Sequence, residues 1–140
     1  MKVSQLVTQK KVITISASKS VSELIKLLSD NRIGAVVVSE NGSDIKGIVS
    51  ERDIVRRLNV TSDFSQLSVS ELMTRDVQVC RSDDSVASVM QSMTDGRFRH
   101  CPVVDSDGKL TSIVSIGDVV KAYISEIAAE RDALNSYITN

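Results

Sequence analysis

The sequence predicts an α/β fold made of two tandem β-α-β-β-α repeats that pack with pseudo-twofold symmetry. The run GIVSERDIV at 47–55 returns 65 positions later as SIVSIGDVV at 112–120. Strand-like and helix-like apolar patterns recur at the same offset along most of the chain. A unit of about 60 residues buries only a marginal share of its surface, so the two copies are expected to pack together with their sheets apposed and their helices outside.

A lead-in and a strand open each repeat. VSQLVT (3–8) returns as VSELMT (69–74), and VITI (12–15) returns as VQVC (77–80). A helix follows in each copy, because apolar residues recur at i, i+3, i+4 and i+7 and form one stripe. The stripe residues are Val21, Leu24, Ile25 and Leu28 in the first copy and Val86, Val89, Met90 and Met93 in the second.

Two β-branched runs after each helix predict a hairpin. Their turns contain Asn-Gly in ENGSD and Asp-Gly in SDGK, pairs that supply left-handed backbone conformations. The hairpin strands are AVVVS (35–39) with IKGIVS (45–50), and CPVVD (101–105) with LTSIVS (110–115).

A second helix closes each repeat, at ERDIVRRL in the first copy and from near Ile116 in the second. The predicted organisation is a first repeat at 1–60, a polar linker at 61–68, a second repeat at 69–125 and a C-terminal helical extension at 126–140. This extension either lengthens the last helix or adds a short one. It either covers the core or provides a dimer contact.

Composition excludes several functions. A formal net charge of −1 and a 3% aromatic content do not suit a nucleic-acid binder. The sequence shows neither a signal peptide nor a membrane span, so we expect a cytoplasmic location with no membrane partner. Cys80 and Cys101 are expected to be reduced core residues.

Catalytic and metal chemistry are also disfavoured. The chain has one histidine and no Cys-x-x-Cys, so a site with two imidazoles from one chain is impossible and no metal is required. His100 and Cys101 are neighbours on a predicted strand, whose side chains point to opposite faces. No nucleophile elbow or dinucleotide-binding glycine motif is present. We therefore expect a protein that is not an enzyme.

The repeated serine and aspartate at each strand-to-helix junction allow two interpretations. Ser50 with Asp53, and Ser115 with Asp118, have the spacing of a capping box, which satisfies backbone N–H groups at a helix start. The same position can instead bind a nucleotide, because a helix N-terminus favours phosphate and a carboxylate accepts hydrogen bonds from a ribose diol.

In order and in duplicate, these motifs resemble CBS domains, and the pair resembles a Bateman module. The resemblance rests on the VSELMT lead-in, on RFRHCPVVD at 97–105, and on the junctions GIVSERD and SIVSIGD. The resemblance covers essentially residues 1–125 and implies adenine-nucleotide binding in the clefts between the repeats. It implies that Asp53 and Asp118 hold ribose hydroxyls, with Ser50 and Ser115 beside the ribose and phosphate.

The resemblance further suggests that Arg99 and His100 face the phosphates, and Arg97 is placed in the same site. The first copy has Gly34 and Ala35 at the corresponding positions, so the two clefts should differ. Arg52 either supplies a compensating charge or is a solvated helix residue.

We therefore expect a stand-alone CBS pair that binds AMP, ADP, ATP or NAD(H) and reports energy or redox state to a partner protein that the sequence leaves unknown. A homodimer is expected on family grounds. The alternative is a scaffolding dimer with vestigial clefts and no nucleotide.

Overall fold

The computed structural model describes residues 1–6, 12–61 and 63–139. A 3₁₀ turn at Val3–Gln5 precedes five helices and six strands in this part of the chain. The elements are β1 (Thr14–Ile15), α1 (Val21–Asn31), β2 (Ala35–Val38), β3 (Gly47–Ser50), α2 (Glu51–Leu58), α3 (Val69–Leu72), β4 (Cys80–Arg81), α4 (Val86–Gly96), β5 (His100–Val104), β6 (Leu110–Ser115) and α5 (Ile116–Thr139).

The strands form two equivalent three-stranded sheets. Their orders are β1-β2-β3 and β4-β5-β6, with the first pair parallel and the second antiparallel in each. Each sheet with its helices has the β-α-β-β-α order, so the predicted fold class is confirmed. All four residues of β2 are buried, and Val36 and Val38 belong to the first core. The apposition of the two sheets stays a prediction.

Both long repeat helices begin with a serine cap. The hydroxyl of Ser20 accepts from the Glu23 N–H at 3.1 Å, and that of Ser85 accepts from the Ser88 N–H at 3.1 Å. The predicted stripe of α1 is wrong at one position, because Ile25 is 41% exposed. Leu27 packs against the first core instead, since the buried face is centred on Leu24 and Leu28.

The hairpin turns have the predicted left-handed glycines, with φ of 81° at Gly42 and 77° at Gly108. The two turns also touch each other. The Leu110 N–H donates to the Ser43 carbonyl at 2.8 Å, and Lys109 forms an ion pair with Asp44. The turns therefore join the repeats to each other.

The two cores are completed by exchange of the lead-in segments. Val3 is fully buried in the second core, where its N–H donates to the Asp84 carbonyl at 2.9 Å. Conversely, Val69 of α3 is fully buried in the first core, and its N–H donates to the Lys19 carbonyl at 2.9 Å. Neither repeat is therefore complete without a segment that belongs to the other in sequence. The VSQLVT residues from position 7 onward lie outside the described residues.

The segments that flank the second repeat are also attached to the body. In the predicted linker, Phe64 and Leu67 pack against the first core, and the Leu67 carbonyl accepts from the Val21 N–H at 3.2 Å. Of the two forms predicted for the C-terminal extension, the structure has the longer last helix, with α5 continuous over 24 residues. The residue boundaries between repeats, linker and extension stay a prediction.

The exchange predicts which repeat each lead-in stabilises. Val3→Ala and Val69→Ala should each lower the free energy of unfolding by about 1 to 2 kcal/mol, because each removes buried methyl groups. In amide hydrogen exchange, Val3→Ala should reduce protection mainly in β4–β6, and Val69→Ala mainly in β1–β3. Val60→Ala is the control, because Val60 is 80% exposed. Loss of protection in a lead-in's own repeat would contradict the exchange.

Candidate functional site

A cleft of about 670 Å³ lies between the two repeats. The first repeat contributes Gly34 and Ala35 at the start of β2 and the β3–α2 junction. The second repeat contributes the segment before β4, the end of α4 and the loop that leads into β5. The lining residues are Gly34, Ala35, Ile48, Ser50–Asp53, Arg56, Thr74, Asp76–Gln78, Ser92 and Asp95–His100.

A glycine allows the repeats to approach at one wall of this cleft. Ile48 and Thr74 exchange backbone hydrogen bonds of 2.9 and 2.8 Å. A Cβ on the preceding residue, Gly47, would lie only 2.8 Å from the Thr74 carbonyl oxygen. A larger residue at 47 would therefore push Thr74 away from the cleft.

The junction aspartates cap their own helices. In the first repeat, the Ser50 N–H and hydroxyl both donate to Oδ2 of Asp53, at 2.8 and 3.1 Å. In the second, the Ser115 N–H donates to Oδ2 of Asp118 at 3.1 Å, and the Asp118 N–H donates to the Ser115 hydroxyl at 3.2 Å. The capping interpretation is therefore confirmed at both junctions. These bonds end on Oδ2, so a cap does not by itself occupy the other carboxylate oxygen.

Arg32 and Arg97 end α1 and α4 in the left-handed conformation, with φ of 53° and 55°. Glycine is the usual residue at such a helix end, because a Cβ makes this conformation cost roughly 1–2 kcal/mol. Arg97 lines the cleft. This turn at the end of α4 leads to Arg99 and to the start of β5 at His100, which line the same cleft.

His100 has neighbours at both junctions. It pairs with Ser115 in the β5–β6 ladder and lines the cleft that contains Ser50. It approaches Gly34, since a Cβ at position 34 would lie in ordinary contact with Cε1 of His100 at 3.5 Å and in a tight contact with Oε1 of Glu51 at 3.3 Å. Burial lowers the pKa of His100, and Arg99 acts in the same direction, whereas Glu51 and Asp118 oppose the shift. The imidazole is therefore biased toward its neutral form.

Six of the eight residues predicted for nucleotide binding line this one cleft, namely Ser50, Arg52, Asp53, Arg97, Arg99 and His100. Ser115 and Asp118 lie at the other junction. Sequence reasoning did not assign Glu51, Arg56, Thr74, Asp76 or Asp95 to the site. Thr74 could have been found because it ends the repeated lead-in, and Asp95 could have been found because Asp30 stands at the matching position of the first copy. Arg56 matches the basic Lys121, whereas Glu51 and Asp76 have no counterpart of the same charge.

A second cleft at Ser115 and Asp118 stays a prediction. In the repeated lead-in, Thr74 corresponds to Thr8, and by the offset of 65 Asp76 corresponds to Lys11. Those positions lie outside the described residues.

The two cysteines are free and buried in the second core, as the sequence predicted. A hydrogen bond with Cys80 and burial both raise the pKa of the Cys101 thiol, which keeps it protonated. His100 lines the cleft whereas Cys101 faces the core, so they do not form a catalytic dyad.

Within residues 1–6, 12–61 and 63–139, no cluster of three His, Cys, Asp or Glu side chains could hold a metal ion. None of the helices described is both long enough and apolar enough to cross a membrane.

These features define a tandem-repeat α/β protein with a polar cleft between its repeats. The family model of the CBS domain matches residues 3–60 and again 69–125. The chain therefore belongs to the CBS-domain family and carries two copies of the domain. It is 36% identical over 124 residues to the mitochondrial CBS domain-containing protein CBSX3 of Arabidopsis thaliana, covering 85% of this chain and 60% of the plant protein.

Solved CBS-pair structures have the same fold. The CBS-domain containing protein ATU1752 from Agrobacterium tumefaciens is 38% identical, with a TM-score of 0.82 over 88% of this chain and 99% of that one. CBSX2 of Arabidopsis thaliana, solved with AMP, is 26% identical, with a TM-score of 0.72 over 89% and 96%. The CBS pair of MJ0100, solved with 5′-methylthioadenosine and S-adenosyl-L-methionine, is 25% identical, with a TM-score of 0.79 over 90% and 98%.

The environment of His100 predicts a pH-dependent stability. The unfolded chain takes up a proton near the ordinary pKa of 6.5, whereas the folded chain takes it up only at lower pH. This contribution to stability is therefore complete above pH 6.5 and is lost as the pH falls through the folded-state pKa. Urea unfolding across this range should show the loss in the natural chain and not in His100→Gln. An equal pH dependence in both proteins would contradict this assignment.

Proposed function

We propose that this protein is a non-catalytic regulatory module that binds an adenine nucleotide in the cleft between its CBS repeats. One observation carries the proposal. A single cleft joins the Ser50–Asp53 junction of the first repeat to Arg97, Arg99 and His100 of the second, and its volume suits a small ligand. AMP in CBSX2 and adenosine-containing ligands in MJ0100 support an adenine ligand.

Each group has a definite role in this proposal. Oδ1 of Asp53 accepts from the ribose diol while Oδ2 keeps the helix cap. Arg97 and Arg99 bind the phosphate, because guanidinium groups donate paired hydrogen bonds to phosphate oxygens. His100 hydrogen-bonds the ligand between the two junctions. S-adenosylmethionine is a weaker candidate, since its positive sulfonium would gain nothing from Arg99.

The signalling step follows from the position of the cleft. A ligand that contacts both repeats has a different affinity for their open and closed arrangements, and it shifts the equilibrium by that difference. The proposed output is a changed surface presented to a regulated partner protein. Whether the signal is energy state or redox state depends on a preference for AMP, ADP and ATP or for NAD(H).

A scaffolding role with a vestigial cleft is the second candidate. The specific observation in its favour is that Asp53 and Asp118 already cap their helices, which gives both residues a purely structural use. The two candidates differ in whether any nucleotide binds.

Isothermal titration calorimetry of nucleotide-stripped protein with AMP, ATP, NAD⁺ and NADH tests the proposal directly. S-adenosylmethionine serves as the cationic contrast. Micromolar binding of one adenine nucleotide is expected, with preference for NAD(H) indicating a redox sensor. If folded protein binds none of the five ligands, the scaffolding role is favoured.

Arg32 and Arg97, which share the left-handed backbone conformation, offer a matched test of phosphate binding. Arg97→Gly removes a guanidinium from the cleft without demanding a new backbone conformation, and Arg32→Gly makes the same change outside the lining residues. Both variants should be as stable as the natural chain or more stable, by up to about 1 kcal/mol. Only Arg97→Gly should weaken AMP binding, by about tenfold or more. An affinity of Arg97→Gly equal to that of the natural chain would exclude Arg97 from the site.

Asp53 requires a pair of variants because it can act both in the cap and in ligand binding. Asp53→Asn keeps an oxygen for the cap but loses the charge that favours a ribose diol, so it should weaken nucleotide binding with little change in stability. Asp53→Ala should weaken binding and also destabilise the fold by about 1 kcal/mol. Reduced stability of Asp53→Ala with unchanged binding in both variants would favour the scaffolding role.

A further inference from the structure

The formal charges that line the cleft cancel one another. Among the described residues, the lining contains four arginines and four carboxylates. They come from α2, from the segment before β4, and from the end of α4 with the loop into β5. The arginines are Arg52, Arg56, Arg97 and Arg99, and the acidic residues are Glu51, Asp53, Asp76 and Asp95. A phosphate monoester such as AMP brings roughly two negative charges at neutral pH, and these side chains as a set do not neutralise them.

His100 is the lining residue that can supply a further positive charge. It is the one histidine in the sequence, and histidine is the side chain whose ordinary pKa lies nearest to neutral pH. Burial lowers the pKa of His100, Glu51 of α2 opposes this effect, Arg99 adds to it, and Asp118 of α5 opposes it. Burial prevails over the two carboxylates, so the free protein withholds this charge from the cleft.

A phosphate bound in this cleft would lie near the imidazole. Arg97, Arg99 and His100 belong to the stretch RFRH at 97–100, and every residue of this stretch lines the cleft. Glu51 of the first repeat approaches the same place, because it and His100 both lie close to Gly34. A dianion held by the two guanidiniums therefore adds negative charge beside a group that burial keeps neutral. A nearby opposite charge favours the protonated form of such a group.

We propose that nucleotide binding in this cleft is coupled to protonation of His100, so that the protein binds its adenine nucleotide more tightly as the pH falls. The inference rests on the proposed function, because it requires a ligand that carries phosphate. By linkage, a ligand that favours the protonated imidazole is itself bound more tightly by the protonated protein. The cleft then responds to pH as well as to nucleotide concentration.

The sign of the effect follows from the order of the two pKa values of His100. The pKa in the free protein lies below the ordinary 6.5, and the bound phosphate raises it. Well above both values the imidazole is neutral in either state, so this group has no effect on the affinity. As the pH falls through the pKa of the complex, binding takes up a proton and the affinity rises. The gain is complete below the pKa of the free protein.

NMR of the imidazole tests the coupling in the natural chain. Because the sequence has one histidine, isotope-labelled protein gives a single imidazole to follow through a pH titration. The pKa of His100 is measured in the free protein and with saturating AMP, ATP, NAD⁺ or adenosine. A bound nucleotide should raise this pKa, and adenosine, which carries no phosphate, should leave it unchanged. An unchanged pKa with bound nucleotide, or an equal rise with adenosine, would overturn the coupling and leave the proposed function standing. Absence of binding by all three nucleotides would overturn both.

Calorimetry of the nucleotide that binds gives the matching change in affinity. In the natural chain, the dissociation constant should fall about threefold or more between about pH 8 and about pH 6. Titrations in two buffers with different protonation enthalpies should also show proton uptake. His100→Gln keeps a hydrogen-bonding side chain that takes up no proton, so it should lose both effects. The phosphate of the nucleotide titrates equally in both proteins, so their difference belongs to His100. Equal pH dependence in the two proteins would overturn the coupling, and the NMR measurement decides the question if the variant does not fold.

Discussion

The exchange of lead-in segments is the constraint on which the rest of the structure depends. A unit of about 60 residues with a three-stranded sheet and two helices is only marginally stable alone. Val3 fills the second core and Val69 fills the first, so each repeat is completed by the other. The same exchange carries the chain from Val69 past the β3 edge, where Thr74 pairs with Ile48, and so forms one wall of the cleft.

Helix capping and the proposed ligand binding involve the same residues at the junctions. Ser50 and Asp53 close the start of α2, and this cap holds the Asp53 carboxylate at the edge of the cleft. At Arg97, stability and the proposed site have opposite requirements. Its left-handed backbone is unfavourable for a residue with a Cβ, so glycine would be more stable there, but glycine would leave the cleft without that guanidinium. The helix cap at Asp53 thus supports the proposed site, whereas the backbone conformation at Arg97 opposes it.

The two repeats have diverged within a conserved backbone. At the position of Arg99, the first repeat has Gly34, and both carbonyls accept from the first N–H of the following helix, at 2.7 and 2.9 Å. His100 and Glu51, from opposite repeats, both lie close to Gly34. The arginines that line the cleft come equally from the two repeats, Arg52 and Arg56 from the first and Arg97 and Arg99 from the second.

The residue pattern alone specifies the duplicated β-α-β-β-α order, the turns at Gly42 and Gly108, and the junction residues, because these depend on periodicity and on local backbone preferences. It did not show that Ile25 is exposed, that the lead-ins change places, or that Asp76 and Asp95 line the same cleft as Asp53. Those features depend on how two separate segments pack. A periodic pattern defines a helix face but not its neighbour, and only the tertiary structure decides which residues of one repeat approach those of the other.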